Sequence, residues 1–226
     1  MDVNQMYEVW SYAIAKNLQQ GYGSPSDFYI TINQAQRGYE DYLLGEYQQY
    51  QIRRPISVVE FGQNARIRDS LAPLIYGTIL NIDASGVASR PSDYEYVDNM
   101  WSVYGNYNIK FIQQDRLDTY IHSEIDPNVT NPVYLINHEG FLFFPARPNG
   151  DNQAKLSYVR NAPSIVWGFT TDSNGIPRYN AATSQQPVWS DTDCMQIIVR
   201  ALAIVGVNLQ AGVVSQYAQE IKTQGQ

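Results

Sequence analysis

An α+β fold is predicted, with helices at the two ends of the chain and an antiparallel β domain inserted between them. Three observations carry the prediction. One helix-start signal occurs twice, as Ser24-Pro25-Ser26-Asp27 and as Ser190-Asp191-Thr192-Asp193, each ahead of apolar residues at three-four spacing. Between the two copies, short β-type runs recur between turn signals. At 226 residues and 44% hydrophobic content, the chain has enough apolar surface for one large domain, or one and a half small ones, with a real core.

The first element follows from Val3, Met6, Trp10, Ala13, Ile14 and Leu18, whose helical spacing ends at Gly21 and Gly23. In the start signal that comes next, the Ser24 hydroxyl accepts from the backbone N–H three residues on. Asp27 returns the bond and faces the positive end of the helix dipole. Pro25 takes the first helical position, where a missing N–H costs nothing. Phe28, Ile32, Ala35, Tyr39, Tyr42, Leu43, Tyr47 and Tyr50 carry the stripe on to Pro55. Residues 1–55 are therefore expected to form an antiparallel helical hairpin, with small Ala35 and Gly38 on or near the facing side.

Residues 56–93 read as a mixed connection, with Pro73 set within a helix-compatible run and a mobile Gly/Ser/Pro-rich stretch at 83–92. The β domain is expected over 94–189. Runs 94–104 and 107–112 flank the turn Gly105-Asn106, and runs 132–136 and 141–144 flank a turn at Glu139-Gly140. Runs 156–160 and 164–169 read as a third pair, Asp172-Ser173-Asn174-Gly175 as a further turn, and 115–122 as a short helix. In 190–226, Met195, Ile198, Leu202 and Val205 form a stripe with Gly206 as its C-cap. A last segment with Leu209, Val213, Val214, Tyr217 and Ile221 fades into a polar tail. These C-terminal helices are expected to pack on the N-terminal ones.

Composition limits the function classes. Fifteen Lys and Arg against 22 Asp and Glu give a net charge of −7, which disfavours a nucleic-acid coat or an anionic membrane surface as partner. An acidic wall that repels DNA remains compatible. No stretch approaches the ~18 apolar residues of a membrane helix, and Met1-Asp2-Val3-Asn4 lacks a basic signal region, so a soluble, non-exported product is expected. The single cysteine, Cys194, rules out an internal disulfide and a Cys-based metal site, and reads as a buried residue in the first turn of the last helical region. Eighteen Tyr fit protein–protein contact surfaces, and equally a Tyr-rich sheet.

Chemistry finds no anchor. G-x-x-x-x-G-K-[ST], G-x-S-x-G and H-E-x-x-H are all missing from the sequence. His122 and His138 have no nucleophile or metal partner at useful spacing and read as surface imidazoles. Asp191-Thr192-Asp193 is accounted for by helix capping rather than by metal binding, and Glu220-Ile221-Lys222 by a solvated helix face. Asn128-Val129-Thr130 reads as a turn rather than a glycosylation site. A polysaccharide-cleaving enzyme would need two carboxylates converging at about 5–9.5 Å, and spacing selects no pair among Glu95, Asp98, Glu124 and Asp126. No catalytic activity, no cofactor and no metal is expected.

The order of segments resembles a family. Lys16-Asn17, Tyr22-Gly23-Ser24-Pro25-Ser26-Asp27-Phe28 and Asn33-Gln34-Ala35-Gln36 are similar to the opening helical hairpin of head-to-tail connector (ring or portal-adaptor) proteins of podovirus-like tailed phages, the crAss-like group above all. Asn131-Pro132-Val133-Tyr134, Phe144-Pro145, the run from Leu156-Ser157-Tyr158 to Asn161-Ala162-Pro163 with Trp167, and Gly206-Val207-Asn208-Leu209 agree in order. Residues 56–93 and 171–187 fall outside the resemblance.

What the resemblance implies is a homo-oligomeric ring, commonly twelve-fold, in the virion below the portal. It would be assembled in the host cytoplasm, join capsid to tail, and pass DNA without specific binding. Such a ring needs two different complementary surfaces per subunit. The Tyr-rich helices and the tail would supply them, with Met6, Trp10, Ala13, Tyr39, Tyr47, Leu209, Val213, Tyr217 and Ile221 as candidate interface residues. The alternative is a carbohydrate- or receptor-binding module of a phage tail, presenting exposed Trp and Tyr to sugar rings.

Overall fold

A computed structural model describes residues 1–17, 23–52, 58–103, 107–121, 127–146 and 152–208, without the side chains of 16–17, 46–52, 58–64, 118–120 and 207–208. The fold is α+β, with helices and antiparallel sheets. The chain divides into two compact units. One is built from both ends, 1–73 and 162–226, and the other is the contiguous segment 74–161.

The first unit contains α1 (Val3–Asn17), α2 (Pro25–Ile52), α3 (Val58–Leu71) and, from the far end of the chain, α5 (Asp191–Asn208). Helix α5 packs on both α1 and α2, and α3 packs on α2. Both predicted start signals form. Asp27 N–H donates to Ser24 Oγ at 3.1 Å while Ser24 N–H donates to Asp27 Oδ2 at 3.2 Å, and Asp193 N–H donates to Ser190 Oγ at 3.3 Å. The α1 and α2 stripes lie inside, exposed Tyr42 apart, with Val3, Met6, Trp10 and Ile14 of α1 and Phe28, Ile32, Ala35 and Leu43 of α2 buried. Of the expected α5 stripe only Ile198 is buried; Leu202 and Val205 are half-buried and Met195 is exposed, because the inner face of α5 is shifted to Cys194, Ile197, Ile198 and Ala201. The turn expected between the first two helices lies outside the described residues.

Helices α1 and α2 meet through rings, with Phe28 edge-on to Tyr7 at 5.3 Å and to Trp10 at 5.4 Å, and α5 packs on both. Two expectations for this unit change. Gly38 is exposed and a Cβ there would meet nothing, so it does not admit a partner helix. Gly206 does not cap α5, which runs on to Asn208.

The second unit holds two sheets. The first has strand order β1-β7-β3, from β1 (Ile75–Asn81), β7 (Gln153–Arg160) and β3 (Tyr94–Ser102), all antiparallel. The second has order β2-β6-β5-β4, from β2 (Val87–Ala88), β6 (Phe141–Phe144), β5 (Val133–Ile136) and β4 (Lys110–Phe111), with β4 parallel to β5. Strand alternation sorts the side chains. Leu80, Met100, Leu156 and Tyr158 of the first sheet share one core with Tyr134, Phe141 and Phe143 of the second. On the opposite face of the second sheet, Val133, Leu135, Leu142 and Phe144 pack with Ile112 and with Leu117 of α4 (Gln114–Ile121).

The expected division at 93/94 and 189/190 moves to 73/74 and 161/162, because residues 56–93 are no mere connection. They supply α3, an edge strand and β2. Within 83–92, the Asp83 carboxylate accepts from Ser85 and Val87 N–H, a turn that delivers β2 to β6. Strand β7 pairs with β1 and β3, not with residues 164–169, since its face must complete the shared core. The run at 107–112 meets the end of β3 through Ser102 N–H to Tyr107 O and Ile109 N–H to Met100 O, then crosses to the second sheet as β4. The 132–144 hairpin and the short helix at 115–122 form close to their expected bounds.

Residues 162–190 belong to the helical unit. Strands β8 (Phe169–Thr171) and β9 (Pro177–Tyr179) form a hairpin there about the expected Asp172–Gly175 turn.

Candidate assembly surface

Surfaces are built from what a core leaves over, and the core claims several residues expected at an interface. Met6 and Trp10 are 0% exposed and Tyr39 is buried beside Trp189, ring centroids 5.5 Å apart. Their expected role at a subunit interface is corrected to one in the chain's own core, because the apolar stripe that marks them is the face α1 and α2 turn inward. Ala13 is half-buried. Tyr47 as a side chain, and Leu209, Val213, Tyr217 and Ile221 altogether, lie outside the described residues.

The helices present a different set to solvent. Tyr12 is 71% and Ile30 58% exposed, with Val9, Tyr29, Tyr42 and Met195 also outside. Tyr12, Ile30, Val9 and Tyr29 sit off the three-four stripe, and that displacement is the signal by which sequence alone would have found them, whereas Tyr42 and Met195 belong to the expected stripes and stand outside nonetheless. The Arg200 guanidinium lies 5.0 Å from the Tyr42 ring centroid and 5.5 Å from that of Tyr39, joining the surface tyrosine to the core.

A polar cluster centres on the buried Asp193. Asp193, in the first turn of α5, accepts from Tyr39 Oη at 2.6 Å, from Ser190 Oγ at 2.6 Å and from Ser70 Oγ at 3.2 Å. Burial first, and then the bond to Asp193, push the Tyr39 hydroxyl above its ordinary pKa. The next residue, Cys194, is fully buried as expected, and burial pushes its thiol up to about 11. A phenol and a thiol held protonated, and a carboxylate both of whose oxygens accept from hydroxyls, form a structural clamp joining α2, α3 and α5. They have no reacting atom facing solvent. Asp191, the other half of the D-x-D pattern, pairs with the Met1 amino group.

A second clasp holds the 162–190 segment to the helices. The Asn33 side-chain amide donates to Ile165 O at 2.9 Å and accepts from Ile165 N–H at 2.8 Å, replacing a strand neighbour. Gln36 donates to Pro163 O at 3.1 Å, and Trp167 donates to Asn4 Oδ1 at 3.0 Å while stacking on Tyr7 at 4.0 Å. Beside this clasp is an open pocket of about 310 Å³, with Tyr29, Ile30, Gln34, Arg37 and Ser164 among its walls.

The chemistry-bearing candidates that are described make separate local contacts. His138 is exposed on the β5–β6 turn, within 3.9 Å of Glu139. Glu95 is exposed, whereas Asp98 is half-buried and accepts from Ser157 Oγ at 3.0 Å. His122, Glu124 and Asp126 lie outside the described residues. The Asn128 side chain accepts from the Thr130 and Asn131 N–H groups, as a turn residue does. Among the described residues no cluster of His, Cys, Asp and Glu has the arrangement to hold a metal ion, and no helix is long and apolar enough to cross a membrane. No protein-family model matches the chain, and no curated protein matches it.

Proposed function

We propose that this chain is a non-enzymatic structural subunit of a phage virion, a homo-oligomeric head–tail connector ring that docks below the portal and lines the DNA channel. The observation that carries the reading is the set of apolar side chains left outside on the helices, Tyr12 and Ile30 foremost. Apolar side chains left outside a closed core gain free energy when a partner covers them, at roughly 25 cal/mol per Å². The resemblance supports the choice of partner. The segments that carry it, Asn33-Gln34-Ala35-Gln36 and the run to Pro163 and Trp167, are bonded to one another or to α1 in the clasp described above. They act together as a framework rather than as a catalytic set. A net charge of −7 fits a channel wall to which DNA does not adhere.

Electron microscopy of the purified protein, alone and mixed with its phage's portal, tests the reading. Closed rings that stack on the portal are expected. Monomers that ignore the portal and instead bind glycans in calorimetry would replace it with the binding-module alternative.

A further inference from the structure

Strand β1 is an open edge of its sheet, with β7 on one side and, among the described residues, no strand on the other. Its phase fixes which groups are free. Ile82 N–H donates to Asn152 O, one step beyond the Leu80–Ala154 pair, so the even-numbered residues bond to β7. The backbone groups of Gly77 and Ile79 therefore face outward. The strand runs in unbroken register over Ile75–Asn81, with no charge and no proline, and Ile79 is 53% exposed. The opposite edge, β3, is protected: its register breaks twice, it carries Glu95 and Asp98, and the 107–109 segment covers its end. Among the described residues nothing requires glycine at Gly77, whose φ is not positive and where a Cβ would come no closer than 4.0 Å to Leu156 O. A bare strand position of that kind suits the close approach of another backbone.

The same chain carries a strand that lacks a neighbour. The β8–β9 hairpin is a two-stranded sheet, with Phe169, Thr170 and Thr171 all exposed, and such a ribbon is marginal in water until it is extended. Bonds from Asp172 N–H to Ile176 O and from Asn180 N–H to Gly168 O turn the backbone groups of Phe169 and Thr171 outward on β8. On β9 the outward positions include Pro177, which has no N–H, so β8 is the usable edge.

We propose that β8 of one copy adds to the β1 edge of a second copy, the two strands forming a continuous sheet across a head-to-tail contact. Neither strand carries a charge, so the contact avoids the mutual repulsion of two chains that are each at −7. The strand edge and the arm are different surfaces, so the pairing repeats around a ring rather than closing as a symmetric dimer. The inference rests on the self-assembly part of the connector reading and names its contact.

Two variants test it, each removing one outward N–H while sparing the internal ladder: Ile79→Pro on the edge and Thr171→Pro on the arm. Sedimentation velocity and electron microscopy follow assembly, with circular dichroism melts to verify folding and Ile79→Lys as a gentler edge variant. Each single variant is expected to self-associate about tenfold more weakly or worse, a loss equivalent to about 1.4 kcal/mol. A 1:1 mixture of Ile79→Pro with Thr171→Pro is expected to give dimers, because one intact edge and one intact arm remain. Rings that persist in folded Ile79→Pro and Ile79→Lys would overturn the strand pairing and leave the connector reading standing. Assembly by Thr171→Pro equal to wild type, or a mixture that stays monomeric, would overturn the arm as occupant. Short open oligomers of wild type that Ile79→Pro abolishes would uphold the pairing and remove the ring. A wild-type chain that is monomeric with and without portal would overturn both.

Discussion

At Asp193 three hydroxyls converge on one carboxylate, and each comes from a different part of the chain. A hydrogen bond to a charged acceptor contributes about 1.5–3 kcal/mol, so Tyr39→Phe is expected to cost about 2 kcal/mol. Asp193→Ala leaves the buried Tyr39 hydroxyl and the half-buried Ser70 hydroxyl without this acceptor and removes a partner of the α5 cap, and should cost about 3 kcal/mol, read as a lower urea midpoint at unchanged slope. The pH dependence follows from Cys194. Its ordinary pKa of 9.0 is pushed to about 11, so the unfolded chain loses this proton first and stability falls as pH rises from about 9 to about 11. Cys194→Ala should flatten the decline between pH 9 and pH 10, measured as urea midpoint against pH. Tyr39, also raised by burial, adds its own loss above pH 10. The capping role of Ser190 and Asp193 was legible because it spans three residues. The clamp was not, because Tyr39 stands 154 residues and Ser70 123 residues from Asp193, and no local pattern reports such a pairing. Met6, Trp10 and Tyr39 show the converse. A periodic stripe says that a face is covered, without saying whether the cover is the same chain or another.

Among elements, the two capped helix starts and the 132–144 hairpin were legible because their signals are local. The two caps nonetheless differ in consequence. Ser24→Ala removes an exposed cap worth about 1 kcal/mol, whereas Ser190→Ala also deprives buried Asp193 of a donor at 2.6 Å. Ser190→Ala is therefore expected to lower the melting temperature more than Ser24→Ala, and equal shifts would contradict the clamp. The β5–β6 turn depends on Gly140, whose φ is 145° and where a Cβ would lie 2.2 Å from Ala88 O, leaving no room for a side chain. Strand β1 escapes a local reading for the opposite reason. Its Ile75-Tyr76-Gly77-Thr78-Ile79-Leu80 run is β-prone, yet its partner β7 begins only at Gln153, and Pro73 just ahead of it reads as a flaw in a helix rather than as a boundary between a helix and a strand.

For the molecule as a whole, the two units have unequal autonomy. The segment 74–161 is contiguous and contains both faces of its sheet-on-sheet core, so every strand of the two sheets finds its partners within it. The helical unit is split: α1, α2 and α3 come from one end of the chain, while α5 and the Pro163–Trp167 clasp that complete their cover come from the other. A fragment 74–161 is therefore expected to fold alone, with a strand-type circular dichroism spectrum, dispersed amide resonances and a cooperative urea transition. A fragment 1–73 should stay unfolded until 162–226 is added, because the buried faces of α1 and α2 would otherwise meet water. Unfolded 74–161, together with a single transition for the full chain, would show that the sheets need the helices to hold them. In a connector ring, separate stability of the two units would let a subunit keep its sheet edge intact while the helical surface engages a neighbour.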